Sequence, residues 1–528
     1  MTIIEKEFNV TGICVPTKHY MVDTSKKILR ILPLIERGKY FTINRPRQYG
    51  KTTTLLFIEK ELLKRSDYLC ISLSFEGIGD KVFETESSFC QVFIRILANS
   101  VKDQDIETSK WLRSRSETTV SFELLSETIS DLVLRVSRKI VIMIDEVDKS
   151  SNNQLFVSFL GMLRDKYLKQ HSGKDQTFYS IVLVGVHDVK SLKLKMASDF
   201  TGKLNSPWNI AADFNIDMSF NAGEIANMLT VYSHDKKIEM DIQAIAEKLY
   251  FYTSGYPFLV SKMCKIIDEE ILPDKNENKW NIDYVDIAYK SITYPAYSTT
   301  IFDDLFKNLE NNPLLFDLVY KVAIDGEKFA LDINNPILNL GILYGIFCNS
   351  GDSLKIHNHI FNTRICNYLT SKLETSKSGI TEYSYKEDFV DENNQLNMKL
   401  VLQKFQKFYK EQFSRKDQKF IEREGRLLFL AFLKPIINGD GYDFKEVTIS
   451  KENRMDIVVT FQNQRFVIEV KIWYGEEYHQ RGLKQLSNYL DTYSQKEGYL
   501  LIFDFNIGKQ YHEEMIQYAD KQIFAVWV

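Results

Sequence analysis

Proline and glycine are scarce here, at 10 and 23 of 528 residues, below the usual ~5% and ~7%. That shortage excludes collagen-like and low-complexity chains. Hydrophobic residues at 44% and aromatics at 13% exclude an intrinsically disordered one. Neither charge predominates. Sixty-seven Lys and Arg stand against 71 Asp and Glu, a net charge of −4, so the chain is not a polycation that coats nucleic acid, although a local basic patch stays open. Six cysteines (Cys14, Cys70, Cys90, Cys264, Cys348, Cys366) lie far apart with no CxxC pair, which argues against zinc and for small buried side chains in a reducing compartment. No apolar run approaches the ~18–20 residues that span a bilayer. The residues after Met1 (Thr2, Glu5, Lys6, Glu7) are polar, without the apolar stretch of a signal peptide. The expectation is a soluble, cytoplasmic protein with no membrane partner and, at roughly 100–200 residues per domain, about three domains.

What is present is patterned. Near-continuous apolar runs at Tyr40–Asn44, Tyr68–Ser72, Lys139–Ile144 and Ser180–Gly185 read as strands buried on both faces of a parallel sheet. Helical periodicity separates them, so residues 1–215 read as α/β. Residues 216–375 turn mostly helical. Ile342–Ile356 interrupts them with apolar segments around an Asn349-Ser350-Gly351-Asp352 turn, ahead of a helix at Ile360–Thr370; this is the outline of a winged helix. Residues 376–396 are polar and turn-rich, a linker. Residues 397–528 carry a long helical segment (Leu400–Leu433), strands near Phe444–Ser450, Met455–Phe461 and Arg465–Ile472, a helix at Glu477–Thr492 and a last strand at Tyr499–Phe505.

The first strand runs into Arg45-Pro46-Arg47-Gln48-Tyr49-Gly50-Lys51-Thr52-Thr53-Thr54. Gly-Lys-Thr at a helix start is the second half of a phosphate-binding loop. Gly50 permits the tight turn, free N–H groups hold anionic phosphate, Lys51 reaches the β/γ-phosphates and the Thr52 hydroxyl binds Mg2+. The usual first glycine is replaced by Arg45. The strand Ile140-Val141-Ile142-Met143-Ile144 ends in Asp145-Glu146, a Walker B element in which Asp145 holds the metal and Glu146 polarises water. A third strand ends at Gly185-Val186-His187-Asp188, where His187 is placed to sense the γ-phosphate.

These segments, with Tyr20-Met21-Val22-Asp23 and Ser206-Pro207-Trp208-Asn209-Ile210, resemble the prokaryotic AAA-like ATPases of the ASCE P-loop class. The resemblance covers about residues 15–370. It implies ATP and Mg2+ as cofactors and adds Arg47, Tyr49 and Thr53 to Gly50, Lys51, Thr52, Asp145 and His187 around the nucleotide. Arg-Pro-Arg before the loop is a trait of that family. Thr253-Ser254-Gly255-Tyr256-Pro257 is similar to the Gly-x-Pro of its helical lid. No arginine finger is identifiable; Arg164 is the nearest guess.

The C-terminal region carries a second centre. In Arg454-Met455-Asp456 through Glu469-Val470-Lys471, a two-residue turn, if it falls at Gln462-Asn463, pairs Phe461 with Gln464 and sets Asp456 opposite Glu469; a turn at Asn463-Gln464 keeps Asp456, Glu469 and Lys471 on the same face. Cross-strand partners stand about 4.5–5.5 Å apart at Cβ, so the two carboxylates can share a hard cation, and Lys471 lies two residues on, on the face of Glu469. Like charges directly opposite repel without a cation between them, so alanine at either position is expected to leave the metal-free fold no less stable. The arrangement resembles the PD-(D/E)xK nuclease core, which implies Asp456 and Glu469 on Mg2+ (or Mn2+), Lys471 at the water or scissile phosphate, Glu424 (or Glu422) as a third acid, and Gln485 with Tyr489 as the Gln-x-x-x-Tyr of RecB-type nucleases. Met-Asp stands where the namesake Pro-Asp would be. Nine basic residues against four acidic ones between Lys399 and Arg426, interleaved with aromatics, read either as a duplex-facing helix or as the solvated face of an amphipathic one.

The sequence therefore reads as an AAA-like ATPase joined to a nuclease domain. Nucleotide state controls cleavage of nucleic acid, DNA favoured over RNA, with a homo-oligomer open and defence against phage or mobile elements as the context the resemblance implies. Two alternatives stand beside it: a nucleotide-dependent switch that binds nucleic acid without cutting, and an ATP-driven translocase with an attached nuclease.

Overall fold

The four apolar runs of the N-terminal half form one parallel sheet. Its strands are β1 (Tyr40–Asn44), β2 (Tyr68–Ser74), β3 (Lys139–Asp145) and β4 (Ser180–Gly185), in the order β1-β4-β3-β2. The computed structural model describes residues 5–147, 154–186, 208–275, 277–294, 296–325, 327, 329–332, 334–349, 354–376, 389–392, 395–412, 418–437, 456–461, 464–492, 494–506 and 510–528. His187 and the strand expected near Phe444–Ser450 lie outside these residues. The chain divides into two compact units, Met1–Tyr289 with Asp332–Ile346, and Lys290–Leu331 with Phe347–Val528. Among the described residues, no helix is long and apolar enough to cross a membrane.

In the first unit the sheet is covered by helices Glu86–Val101, Phe122–Arg135 and Gln154–His171. Phe89, Phe93, Phe156 and Phe159 interlock there, with ring centroids 5.0–6.2 Å apart. Burial on both faces is why these strands read as runs with no alternation. At the outer edge of β1, Ala212 adds a parallel bridge to Phe41. Three further helices follow, Ala222–Lys236 (opened by an Asn221/Glu224 capping box), Ile242–Thr253 and Pro257–Ile266.

The turn between the last two helices depends on glycine. Gly255 has φ +70°, a Cβ there would lie 1.8 Å from the Phe220 carbonyl oxygen, and the Phe220 N–H donates to Gly255 O at 2.8 Å. Gly255→Ala is expected to cost about 2–4 kcal/mol through left-handed strain and overpacking. Gly173 has the same φ of +70° with open space around it, so Gly173→Ala should lose only the strain, about 1 kcal/mol. Thermal unfolding of the two variants side by side measures the difference.

In the second unit, helices Thr300–Glu310, Pro313–Tyr320 and His359–Ser376 accompany an antiparallel hairpin, Phe347–Asn349 with Leu354–Ile356. Its larger sheet has strands β5 (Asp456–Phe461), β6 (Gln464–Ile472), β7 (Glu497–Phe503), β8 (Glu513–Tyr518) and β9 (Lys521–Trp527), ordered β5-β6-β7-β9-β8. Pairs β6–β7 and β7–β9 are parallel; β5–β6 and β8–β9 are antiparallel. Helix Glu476–Thr492 packs Leu483, Leu486 and Leu490 on one face, against Val467, Leu500 and Ile502. The long helical segment expected over Leu400–Leu433 holds the described helices Met398–Gln412 and Gln418–Ile437. Phe405 and Tyr409 of the first contact Phe503. Val401, Leu402, Phe405, Phe408 and Tyr409 are all buried, so these three aromatics among the lysines serve the core, and Phe413 and Phe420 lie outside the described side chains. Strands β8 and β9 were not anticipated. The run Ile523-Phe524-Ala525-Val526-Trp527 carries the signal for β9; β8, with Glu513 and Glu514 exposed at the sheet edge, does not alternate cleanly.

Candidate functional site

In the first unit the site forms where β1, β3 and β4 end. Gly50 caps helix Lys51–Leu63 with φ +76°, a conformation free of cost only for glycine. It lets the chain enter the helix with its first N–H groups turned toward a ligand. Gln48 in the same loop also has positive φ, +56°. The buried Lys51 ammonium donates to Arg45 O at 3.1 Å and Pro46 O at 2.9 Å. Toward β3, two strands from β1 in the sheet, the Thr52 hydroxyl donates to Asp145 Oδ2 at 2.7 Å. Two hard oxygen donors therefore converge at the end of β3, the donor chemistry Mg2+ takes. Asp145 Oδ1 accepts the Glu146 N–H at 2.9 Å, and Glu146 sits at φ +53°. The residue that follows Asp145 thus has a strained backbone.

Arg45 plays a structural part. Its guanidinium donates to Asn44 O (2.8 Å) and Ile216 O (2.6 Å), lies 5.3 Å over the Phe214 ring, and has its pKa pulled down by burial. The loop glycine it replaces is compensated by a strut to residues 214–216. Thr53, expected at the nucleotide, accepts the Cys14 N–H at 3.1 Å and ties the loop helix to the N-terminal segment. Arg164 Nε donates to Asn209 Oδ1 at 2.8 Å.

The loop is also gripped from outside. The Tyr256 hydroxyl donates to Arg47 O at 2.6 Å, and its ring meets the buried Tyr49 ring edge-on at 4.7 Å. Gly345, at φ +71°, lies so close to Pro46 that a Cβ would sit 2.6 Å from Pro46 Cγ. No local signal marks the Gly345 contact, since 299 positions separate the partners. A cavity of about 140 Å3 abuts the loop, lined by Thr11, Met21, Gln48, Tyr49, Phe220 and Phe258 among others. Gly345→Ala is expected to displace Pro46 and weaken binding of a fluorescent ATP analogue on the order of tenfold, about 1.4 kcal/mol, although Gly345 is not one of the expected phosphate ligands. Tyr256→Phe should cost about 1 kcal/mol in the same titration.

The sequence of the AAA-like domain family matches this chain over residues 17–333. The chain belongs to the AAA-like family. Its first unit is an AAA-like P-loop ATPase module, and Arg45, Tyr256 and Gly345 describe how this member holds its loop. A curated relative, an uncharacterised WD repeat-containing protein of Synechocystis sp., is 21% identical over 345 residues, 63% of this chain; the match spans 28% of that protein's length. Among solved structures the chain is similar to a Walker-type ATPase of Pyrococcus abyssi (12% identity, 68% of this chain and 99% of that one, TM-score 0.47). It is also similar to the Aeropyrum pernix ORC2 protein (11%, 69% and 98%, 0.39) and to the Thermotoga maritima RuvB Holliday junction branch migration motor (14%, 63% and 90%, 0.32). Membership rests on the match over residues 17–333.

In the second unit the register pairs Asp456 with Glu469 and Phe461 with Gln464. The Asp456, Glu422 and Glu424 side chains lie outside the described residues. Glu469 is fully buried and its Oε1 stands 2.7 Å from the Lys471 ammonium, itself 7% exposed. Lys471 Nζ also donates to Gln485 Oε1 at 2.7 Å. The lysine stem passes beneath Gly482, where a Cβ would lie 2.9 Å from Lys471 Cε. Glu469, Lys471 and Gln485 are thus brought together, and Gly482, a lone glycine inside a helix, is the residue sequence reasoning overlooked. The expected carboxylate repulsion at Glu469 is corrected, because a buried ammonium already faces that carboxylate. Among the described residues, no group of three or more His, Cys, Asp or Glu side chains converges as a metal site.

Proposed function

We propose that this protein binds and hydrolyses ATP in its AAA-like module and that nucleotide state controls a Mg2+-dependent nuclease in its C-terminal region, acting on nucleic acid with DNA favoured over RNA. The observation that carries the nuclease half is the Asp456–Glu469 register with Lys471 held between Glu469 and Gln485. The ATPase half is supported by Lys51 and by the Thr52–Asp145 contact beside Glu146.

In this reading Thr52 and Asp145 hold the metal of the nucleotide, Lys51 turns from its own loop carbonyls to the phosphates, and Glu146 orients the attacking water. His187, Arg47, Tyr49 and Thr53 complete the surroundings, and the cavity beside Gln48 and Tyr49 takes the base end. The helices from Ala222 to Ile266 act as the lid, and the 347–356 hairpin with helix His359–Ser376 as a winged-helix unit. The bound metal supplies charge stabilisation at phosphate; Asp456 and Glu469, with Glu424, would hold it in the nuclease, and Lys471 neutralises the scissile phosphate. The division into residues 1–215, 216–375, 376–396 and 397–528 is part of the proposal.

The chain passes between the two units three times, and Gly345 packs on the phosphate loop two residues before one of those passages. That supports coupling of loop occupancy to the second unit. A second reading, nucleic-acid binding without cleavage, draws support from the burial of Glu469 and its pairing with Lys471. Incubating the purified protein with plasmid, linear duplex and single-stranded substrates separates the two. Metal-dependent cleavage of any of them supports the nuclease; binding with no cleavage under Mg2+ or Mn2+ supports the second reading. Defence against phage or mobile elements is the biological setting we propose.

A further inference from the structure

Strand β6 ends at Ile472, and Trp473 follows it directly, two residues after Lys471, with its N–H donating to Phe503 O at 2.9 Å. There the protein places a belt of rings. Trp473 and His479 stand 5.5 Å apart, both meet Trp527 (6.4 and 5.7 Å), and His512 stacks on Trp527 at 4.0 Å and 17°. Next to them Tyr474 and Tyr478 form an edge-on pair at 5.3 Å. Trp527 is buried and Trp473 half-buried, so part of the belt is core. Its outer members are not: Tyr474 is 60% exposed and His512 is exposed. Burial of the hydrophobic core does not account for two flat side chains left in water beside the proposed catalytic centre.

The charge around the belt says what it fits. Lys407, Lys410, Arg481 and Lys484 are exposed near it, and Lys410 lies 5.5 Å over the Tyr511 ring. Glu476, Glu477, Glu513 and Glu514 balance them; Glu477 pairs with Arg481 at 2.6 Å and Glu513 with Gln403 at 2.8 Å. A surface that grips duplex through its phosphates needs an excess of positive charge, and these described side chains, four cations against four carboxylates, supply none. Stacking on rings needs no such excess and tolerates any base. It requires bases whose faces are open, which a duplex keeps hidden and an unpaired strand offers.

We propose that Tyr474, His512 and the belt between them are a base-stacking platform that makes an unpaired nucleic-acid strand the substrate of the second centre. This rests on the nuclease reading for its catalytic consequence, while the platform is testable without it. DNA and RNA strands share the stacking chemistry.

The test uses the full chain and labelled 20-mers as deoxy strand, ribo strand and blunt duplex, by fluorescence anisotropy without divalent metal at low and at physiological salt. The expected result is single strand bound at least ~tenfold tighter than duplex, with shallow salt dependence and quenched tryptophan emission. Tyr474→Ala and His512→Ala should each weaken strand binding by about five- to tenfold, and Tyr474→Phe should not. In cleavage with Mg2+, the alanine variants should raise KM and leave kcat. The Glu469→Gln/Lys471→Met double variant, which leaves no buried charge unpaired, should abolish cleavage and leave strand binding intact. Tighter binding of duplex, or a Tyr474→Ala/His512→Ala double variant that binds strand like wild type, overturns the platform even if duplex is cut. Strand binding that depends on the rings in a protein that never cleaves upholds the platform and removes the nuclease.

Discussion

Lys51→Ala should lose nucleotide affinity, while Glu146→Gln should bind ATP and fail to turn it over. Lys51 is buried, and its ammonium rests on Arg45 O and Pro46 O, the carbonyls of the loop that would surround the phosphates. Replacing it removes a charge-assisted contact of about 2 kcal/mol, a factor of roughly 30 in dissociation constant. Glu146 contributes differently. Its backbone is fixed by the hydrogen bond to Asp145 and by positive φ, so glutamine keeps the shape and loses the basic oxygen. Turnover should fall by about 100-fold or more with binding unchanged. Titration with a fluorescent ATP analogue and a phosphate-release assay on the same preparations check both. Equal hydrolysis by Glu146→Gln and wild type would remove Glu146 from the chemistry.

The largest effect on stability belongs to the buried pair in the second unit. Removing one partner of such a pair leaves the other charged and desolvated, at about 3–5 kcal/mol. Lys471→Met should therefore destabilise the second unit strongly, because Glu469 has no exposure to water. Glu469→Gln should cost less, since Gln485 still accepts from the ammonium. Combining them as Glu469→Gln/Lys471→Met removes both charges and should recover most of the loss. No cleavage should return. Urea unfolding followed by tryptophan fluorescence reads the stability and gel assays read the cleavage. Recovery of stability without activity assigns the pair a catalytic role beyond its structural one; recovery of both would make it structural only.

The phosphate loop and the pairing of β5 with β6 were legible for a local reason. Strand, Gly-Lys-Thr and helix are contiguous, so Gly50, Lys51 and Thr52 could be placed from spacing alone. Only two residues separate β5 from β6, so counting put Asp456, Glu469 and Lys471 on one face in either of two registers, and the structure pairs Asp456 with Glu469. What the sequence concealed lies in contacts between distant positions. Gly345 on Pro46, Arg45 on Ile216 O, and Cys14 on Thr53 each join segments from 39 to 299 residues apart. Spacing carries no signal for these. The Glu469–Lys471 contact was misjudged for another reason. Two residues on one face of a strand can turn toward each other or toward a third group, and only the packing of Gly482 and Gln485 above them decides which. Strand β9 was simply overlooked, despite its apolar run.

The central claim is that one chain couples nucleotide state to cleavage, and the rate of cleavage with and without ATP at constant free Mg2+ tests it most directly, in wild type and in Lys51→Ala. The account predicts a wild-type rate that changes on the order of tenfold or more when ATP is added, and a Lys51→Ala rate that does not respond. A wild-type rate indifferent to ATP that is demonstrably bound, or an unaltered ATP response in Lys51→Ala, would contradict it.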